Sequence, residues 1–359
     1  MKPRIANLSI DRFRALRHLE IKDLGRVNLI TGRNNTGKSS VLEALRILAS
    51  NGSTSEIYRI LHHREEDIDE SLDTIVSSLF SGFPPLGDIS EPIAISAKGA
   101  GRPHSLSLSI GRFIEQREPD GIRHFIPEQP GVFPDIESVK RLIVKTETGS
   151  RNRPLPTVGS PPAFDRTEEP WISCVHISPQ GSGRTDALGP LWDKIVLSDQ
   201  EKDVVEALRI ITPEIVRVSM IGGTGSIQPR VAIARSTNIP RPMPLPSFGD
   251  GLNRLFGIVL SLVNARDGLL LIDEVENGMH HTVQVEVWRA IFRLARRLDI
   301  QVFATSHSWD SVESFQKAAS EDPEEGVLVR LSRKGEDIIP TVFREDELAI
   351  ATRDRIEVR

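Results

Sequence analysis

Gly-Arg-Asn-Asn-Thr-Gly-Lys-Ser occupies residues 32–39 and follows the pattern G-x-x-x-x-G-K-[ST] without a mismatch. Residues 27–30 before it have the composition of a short buried strand, and residues 40–49 after it carry apolar side chains at helical spacing. A strand, a glycine-bounded loop and a helix form a phosphate cradle, because loop N–H groups and the helix N-terminus face an anion. We therefore predict a phosphate-binding loop formed by Gly32, Arg33, Asn34, Asn35, Thr36, Gly37, Lys38, Ser39 and Ser40.

Two side chains of this loop have distinct predicted roles. The ammonium group of Lys38 is expected to reach the β- and γ-phosphates of a nucleotide, and the hydroxyl of Ser39 is expected to bind Mg²⁺. ATP and Mg²⁺ are therefore the predicted substrate and cofactor.

A second part of the site is predicted at residues 269–274, which read Leu-Leu-Leu-Ile-Asp-Glu. A strand of a parallel sheet is covered on both faces, so a continuous apolar run is typical of it. Asp273 and Glu274 then lie at the carboxyl end of the strand, where open α/β sheets bind their ligands. We predict that Asp273 holds Mg²⁺ and that Glu274 accepts a proton from the attacking water.

Two further segments fit a phosphate site. Residues 300–305 form another apolar strand pattern, and His307 follows it, in a position to hydrogen-bond a γ-phosphate. Residues 247–251, Ser-Phe-Gly-Asp-Gly, precede a strongly amphipathic helical pattern. Small residues at the start of a helix can present N–H groups and a hydroxyl to phosphate.

The order of these motifs, GRNNTGKS, SFGDG, LLLIDE, ENGMHH and ATSHS, resembles that of ABC-type ATPases of the SMC/RecF class. Within the class, the chain is similar to the ATPase module of OLD-family proteins and their stand-alone AAA-type relatives. The resemblance implies that Ser247 and Gly249 belong to the signature loop, that residues 276–278 lie in the D-loop, and that His307 is the switch histidine. It also implies a head-to-tail homodimer in which each signature loop completes the partner's nucleotide site.

The predicted fold class is α/β, a P-loop NTPase of the ABC head type with an antiparallel β lobe and a helical insertion. The predicted organisation has four parts. Residues 1–51 form the N-terminal part of the ATPase lobe, 52–170 a β-rich lobe with a proline-rich loop, 171–240 a helical insertion, and 241–359 the C-terminal part of the ATPase lobe. Alternating apolar residues in 92–97 and 104–114 predict strands of the β lobe.

Composition limits the remaining possibilities. The chain has 359 residues, a formal net charge of −5 and one cysteine, Cys174. A single cysteine excludes an intrachain disulfide and fits a reducing cytosol. No uncharged run approaches the length needed to cross a bilayer, so we expect a cytoplasmic protein without a membrane partner.

The resemblance implies an ATPase that acts as a sensor or regulator of a separately encoded effector in bacterial anti-phage defence. OLD nucleases continue into a Toprim domain, and the residues after His307 are too few for one, so a Toprim-type nuclease is the expected partner. The alternative is a DNA repair ATPase of the RecF type that acts on DNA ends or gaps. Three rivals are a nuclease that acts unaided, a transporter subunit and a scaffold that binds ATP without hydrolysing it.

Overall fold

The computed structural model describes residues 3–64, 76–89, 91–117, 123–128, 138–155, 169–179, 185–222, 230–321 and 325–358. In chain order the described strands are β1 (Asn7–Phe13), β2 (Leu16–Ile21), β3 (Val27–Thr31), β4 (Ile93–Lys98), β5 (His104–Arg117), β6 (Arg123–Pro127), β7 (Ser138–Thr146), β8 (Gly149–Pro154), β9 (Cys174–Ile177), β10 (Ile215–Ile221), β11 (Val231–Ser236), β12 (Met243–Pro244), β13 (Leu269–Ile272), β14 (Gln301–Thr305), β15 (Gly326–Lys334) and β16 (Asp337–Phe343).

All of the described helices lie before β4 or after β9. They are α1 (Lys38–Ala49), α2 (Thr54–His63), α3 (Thr185–Ile195), α4 (Gln200–Leu208), α5 (Asp250–Asn264), α6 (His281–Arg297), α7 (Trp309–Ala319) and α8 (Glu345–Arg353), with a 3₁₀ turn at Leu245–Phe248. In the part of the chain that the structure describes, no helix combines the length and the apolar character needed to cross a membrane.

The sheet that positions the site has the order β16-β15-β3-β14-β13-β9. Strands β15, β3, β14, β13 and β9 run parallel, and β16 is antiparallel to β15. Every residue of β3, β13 and β14 is buried, as expected for strands covered on both faces. The predicted apolar strands before the glycine-rich loop, before Asp273 and before His307 are confirmed.

A second sheet is antiparallel and has the order β2-β1-β4-β5-β7-β8, with β6 paired to β5. The strands predicted at 92–97 and 104–114 correspond to β4 and β5. Because β1 and β2 precede the glycine-rich loop, this sheet combines strands from both sides of the boundary predicted at residues 51 and 52.

Helix α1 lies between the two sheets. Its residues 40–49 are all buried, because one core cluster joins the helix to the antiparallel sheet and to the inner face of the parallel sheet. A second cluster covers the opposite face of the parallel sheet with α3 to α7. The edge-to-face pair of Trp288 and Phe315, with ring centroids 5.0 Å apart, packs α6 against α7 in that cluster. The predicted α/β fold class is confirmed by these layers.

The structure differs from the helical insertion predicted at 171–240. Helices α3 and α4 are present there, but β9 belongs to the parallel sheet, and β10 and β11 form a three-stranded sheet with β12. The sequence of β9 is too short to show periodicity, and its partner β13 lies far along the chain. Only pairing with that distant strand makes residues 174–177 a strand.

Gln301 connects the two sheets at the edge opposite the glycine-rich loop. Its side chain accepts a hydrogen bond from the N–H of Ile5 at 2.8 Å and donates to the carbonyls of Ile5 at 2.7 Å and Gly25 at 2.8 Å. The residue is 2% exposed. Buried amides that satisfy several backbone groups are costly to remove, since each group left unpaired carries a desolvation penalty.

We expect Gln301→Leu to lower the free energy of unfolding by about 3 kcal/mol, because one N–H and two carbonyls lose their buried partner. Urea unfolding followed by circular dichroism measures this change. Gln316→Leu on α7 is the matched control, because the structure shows no hydrogen bond from the half-buried Gln316 side chain to a described residue. A loss below about 1 kcal/mol for Gln301→Leu would contradict the role of this link.

Candidate functional site

The loop between β3 and α1 has a backbone shaped for an anion. Gly32, Asn35 and Gly37 have φ values of 145°, 62° and 82°, and a Cβ atom added to Gly32 would lie 2.5 Å from the carbonyl oxygen of Leu331. Helix α1 begins directly after Gly37, with no side-chain cap and no acidic residue in its first turn. Its first N–H groups therefore have no side-chain acceptor and point to the place where a phosphate would lie.

Lys38 lies at the start of α1 with its ammonium group turned across the loop. The Nζ atom donates to the carbonyls of Gly32 at 2.7 Å and Arg33 at 3.1 Å. Burial lowers the pKa of Lys38, and the nearby carboxylates of Asp273, Glu274 and Glu276 oppose that change. A cation in this position has both the charge and the reach to contact a bound phosphate chain.

Ser39 and Asp273 are brought together although 234 residues separate them in the chain. The hydroxyl of Ser39 donates to Oδ1 of Asp273 at 3.2 Å, and the hydroxyl of Thr305 donates to the same oxygen at 2.5 Å. Asp273 is 6% exposed. Oxygen donors of this kind, a hydroxyl and a carboxylate, are the ligands that Mg²⁺ accepts in phosphate-binding sites.

Glu274 follows Asp273 in a left-handed backbone conformation, with φ at 49°. Its N–H donates to the hydroxyl of Thr305 at 2.8 Å, so one threonine side chain orients both acidic residues. The side-chain amide of Asn277 donates to Oε2 of Glu274 at 2.6 Å, and the carboxylate remains 38% exposed. The acid is thus held from one side and accessible to solvent from the other.

His307 lies next to Glu274 at the carboxyl end of β14. Its Nδ1 is 3.8 Å from Oε1 of Glu274 and 3.2 Å from Oε1 of Glu276. The backbone N–H of His307 also donates to that Glu276 oxygen at 3.0 Å. Glu276 therefore holds the imidazole, which is 51% exposed, beside Glu274.

The predicted signature residues lie apart from this cluster. Ser247 is exposed in the 3₁₀ turn, and Gly249 caps α5 with φ at 111° and open space around its Cβ position. Among the described residues, no hydrogen bond joins Ser247 or Gly249 to the glycine-rich loop of the same chain.

Sequence reasoning missed three side chains of the site. Thr305 is a hydroxyl at the end of an otherwise apolar strand, and its contacts with Asp273 and Glu274 depend on β13 pairing with β14. The sequence places Glu276 only in the D-loop, whereas in the structure it contacts His307. Arg254 interrupts the apolar pattern of α5 and donates from Nη2 to the carbonyl of Glu274 at 3.3 Å. A lone charge inside an apolar helix was the signal that could have identified it.

Two family models match separate parts of the chain. Residues 1–98 match the family described as "AAA ATPase domain", and residues 165–312 match the family described as "AAA domain, putative AbiEii toxin, Type IV TA system". The first match contains the glycine-rich loop, and the second contains the signature residues, Asp273, Glu274 and His307.

Relatives and solved structures agree with these matches. An ATP/GTP phosphatase of Helicobacter pylori is 23% identical over 380 residues, with 96% of both chains covered. The DNA replication and repair protein RecF of Pseudoalteromonas translucida is 32% identical over 99 residues, which are 27% of this chain and 24% of that protein. An uncharacterized protein of Methanocaldococcus jannaschii is 46% identical over 46 residues, and the chain spans 21% of its length.

The fold is similar to an SMC head bound to the C-winged helix domain of ScpA, with a TM-score of 0.52 and 10% identity over 97% of this chain and all of that one. The fold, the arrangement of the loop and strand ends, and the sequence matches define a nucleotide-binding ATPase of the ABC type. The chain is similar to ATPases of the SMC/RecF class, and the family matches together with the phosphatase relative support ATP hydrolysis as its enzymatic activity.

Proposed function

We propose that the chain is a cytosolic, Mg²⁺-dependent ATPase whose reaction centre is the cluster of Lys38, Ser39, Asp273, Glu274 and His307. The observation that carries this proposal is the shared oxygen of Asp273, which accepts hydrogen bonds from Ser39 and Thr305 directly beside the glycine-rich loop. Ser39 and Asp273 would hold Mg²⁺, directly or through water. When bound, the ion would offset the negative charge of the phosphates.

The chain's own residues bind the phosphates, accept the proton of water and contact the γ-phosphate. Residues 32–40 bind the phosphates through backbone N–H groups, and Lys38 adds the main side-chain charge. Glu274 is the general base, because its carboxylate is accessible and Asn277 holds only one of its oxygens. His307 donates a hydrogen bond toward the γ-phosphate, and Glu276 fixes the direction of its ring.

We further propose that two chains associate head to tail on ATP. The exposure of Ser247 and the open space around Gly249 support this arrangement, since both residues are available to a nucleotide held by a second subunit. In such a closed dimer each site is completed in trans, so ATP becomes part of the interface.

The output that we propose is regulation of a separately encoded effector, a Toprim-type nuclease, in anti-phage defence of the OLD type. The matched family description names a toxin–antitoxin system, which supports a role in defence. Exposed apolar residues are also concentrated between α3 and β11, and they are available to a partner: Val196, Leu197, Val216, Ile221 and Val231. Leu197 is 89% exposed and has a φ of 66°, which is unusual for a bulky residue.

The second candidate function is a DNA repair ATPase that acts on DNA ends or gaps. The match to RecF favours it, because that relative is named as a DNA replication and repair protein. ATP hydrolysis measured by phosphate release with and without DNA separates the two functions, since stimulation by DNA is expected only for the second.

We expect Glu274→Gln to bind ATP normally but to hydrolyse it about 10²–10⁴-fold more slowly, because an amide can position water but cannot accept its proton. The variant should therefore accumulate as an ATP-bound dimer. Phosphate release and light scattering measure the two effects. Glu313→Gln on α7, outside the site, is the control, and a loss of less than about threefold for Glu274→Gln would remove Glu274 from the role of base.

We expect Ser247→Arg to leave nucleotide binding by the single chain nearly unchanged and to prevent ATP-driven association. A large cation in place of an exposed hydroxyl should keep the two chains apart. Light scattering with ATP and Mg²⁺ is the measurement, and Ser320→Arg on the exposed end of α7 is the matched control. Dimers of Ser247→Arg that match those of the wild type would show that the signature assignment is wrong.

The need for a partner is tested with the purified chain alone. We expect no cleavage when plasmid DNA is incubated with the chain, ATP and either Mg²⁺ or Mn²⁺. Robust cleavage that disappears in both Lys38→Ala and Glu274→Gln would show that the chain carries its own nuclease, and the proposal of a separate effector would be wrong.

A further inference from the structure

A buried arginine that the reaction scheme does not use lies directly behind the catalytic acid. Arg254 is on the second turn of α5, between Leu252 and Leu255, and it is 5% exposed. Arginine is rarely buried to this degree without paired acceptors, because removing its charge from water is costly. Its retention inside an apolar helix therefore requires a compensating interaction at this position.

The contacts of Arg254 are few and point to one place. Nη2 donates to the backbone carbonyl of Glu274 at 3.3 Å, and Nε and Nη1 are buried without a hydrogen-bond partner among the described residues. Burial lowers the pKa of Arg254, and the negative charge of Glu276 opposes this shift. Oε2 of Glu276 is likewise buried without a partner there, so the two opposite charges compensate each other at a distance.

The carbonyl that Arg254 contacts belongs to a strained residue. Glu274 has a φ of 49°, a conformation that a non-glycine residue adopts only when its surroundings hold it there. Thr305 holds the N–H of Glu274 at 2.8 Å, and Arg254 holds its carbonyl at 3.3 Å. The direction of the Glu274 side chain is therefore set by both flanking peptide groups.

The same arginine influences His307 through Glu276. Oε1 of Glu276 accepts the N–H of His307 and faces its Nδ1, whereas Oε2 is available to the charge of Arg254. Without Arg254, the buried Glu276 carboxylate would lose a nearby compensating charge and would hold the imidazole less firmly.

We propose that Arg254 is a positioning residue for ATP hydrolysis, which holds the backbone of Glu274 through its carbonyl and stabilises the Glu276 carboxylate that orients His307. The inference rests on the proposed roles of Glu274 and His307. Arg254 touches neither nucleotide nor water in this scheme, so its removal should impair the chemical step and spare nucleotide binding.

The test compares Arg254→Gln and Arg254→Lys with the wild type. We expect Arg254→Gln to lower kcat about 10–100-fold, because a small displacement of a catalytic group has effects of this size, while the Kd for a fluorescent ATP analogue changes less than about threefold. Arg254→Lys keeps the charge and should lose less than about fivefold of the wild-type kcat. Arg266→Gln, just beyond the other end of α5 and 58% exposed, is the matched control and should retain full activity.

Three results would overturn the inference. Wild-type kcat in Arg254→Gln would do so, as would a loss of nucleotide affinity equal to the loss of kcat. The inference would also be overturned if Arg254→Lys were as slow as Arg254→Gln while its thermal melt matched that of the wild type. The charge would then have no role.

Two further measurements locate the effect. If Arg254 acts through Glu276, the fold loss of kcat in the double variant Arg254→Gln/Glu276→Gln should be smaller than the product of the fold losses in the two single variants. A loss equal to that product would refute this route. In the Glu274→Gln background, Arg254→Gln should still form the ATP-bound dimer, and loss of the dimer would reassign Arg254 to association. The proposed function and this inference would both be overturned if the wild-type chain had no ATPase activity or if Glu274→Gln were fully active. If only the expected loss of kcat in Arg254→Gln is absent, the inference is wrong and the proposed function stands.

Discussion

Parallel hydrogen bonding of β14 to both β3 and β13 is the constraint on which the site depends. Ile30 is level with Thr305 in one pair, and Ile272 is level with Ala304 in the other. The glycine-rich loop, Asp273 and His307 follow these residues directly, so they reach the same edge of the sheet. A register shift of one residue would move the Thr305 hydroxyl to the other face and break its contacts with Asp273 and Glu274.

The layers around this sheet hold the phosphate-binding helix in place. Glu43 on α1 forms ion pairs with the buried Arg14 and with Arg64, both at 2.6 Å, and Arg46 pairs with Glu56 on α2 at 2.7 Å. Breaking a buried pair leaves an uncompensated charge, so these contacts strongly oppose displacement of α1. The antiparallel sheet therefore supports the nucleotide site although none of the site residues lies in it.

The parts of the fold that could be predicted from sequence are those with a local signal. The loop before Lys38, the apolar strands before Asp273 and His307, and the alternating strands β4 and β5 each have a recognisable pattern, and the structure has them at those positions. The strand β9 could not be predicted, because its conformation depends on pairing with β13 about a hundred residues later.

The candidate site shows the same division. Lys38, Ser39, Asp273, Glu274 and His307 could be identified because each stands at the end of a patterned element, although their roles stay predictions. The contacts of Thr305, Glu276 and Arg254 are set by tertiary geometry. A threonine in a strand and a glutamate in a turn are ordinary residues until the partner element is known, and the buried state of Arg254 is visible only when α5 is packed.

The central position of β3 also determines when this ATPase lobe can fold during synthesis. The strand hydrogen-bonds to β14 on one side and β15 on the other, and its buried Asn28 contacts a carbonyl 274 residues away. Until those late segments leave the ribosome, both edges of this fully buried strand lack their native neighbours. Exposed strand edges of this kind favour aggregation. The nascent chain is therefore prone to aggregation until β14 and β15 have been synthesised, and a chaperone would protect it during that time.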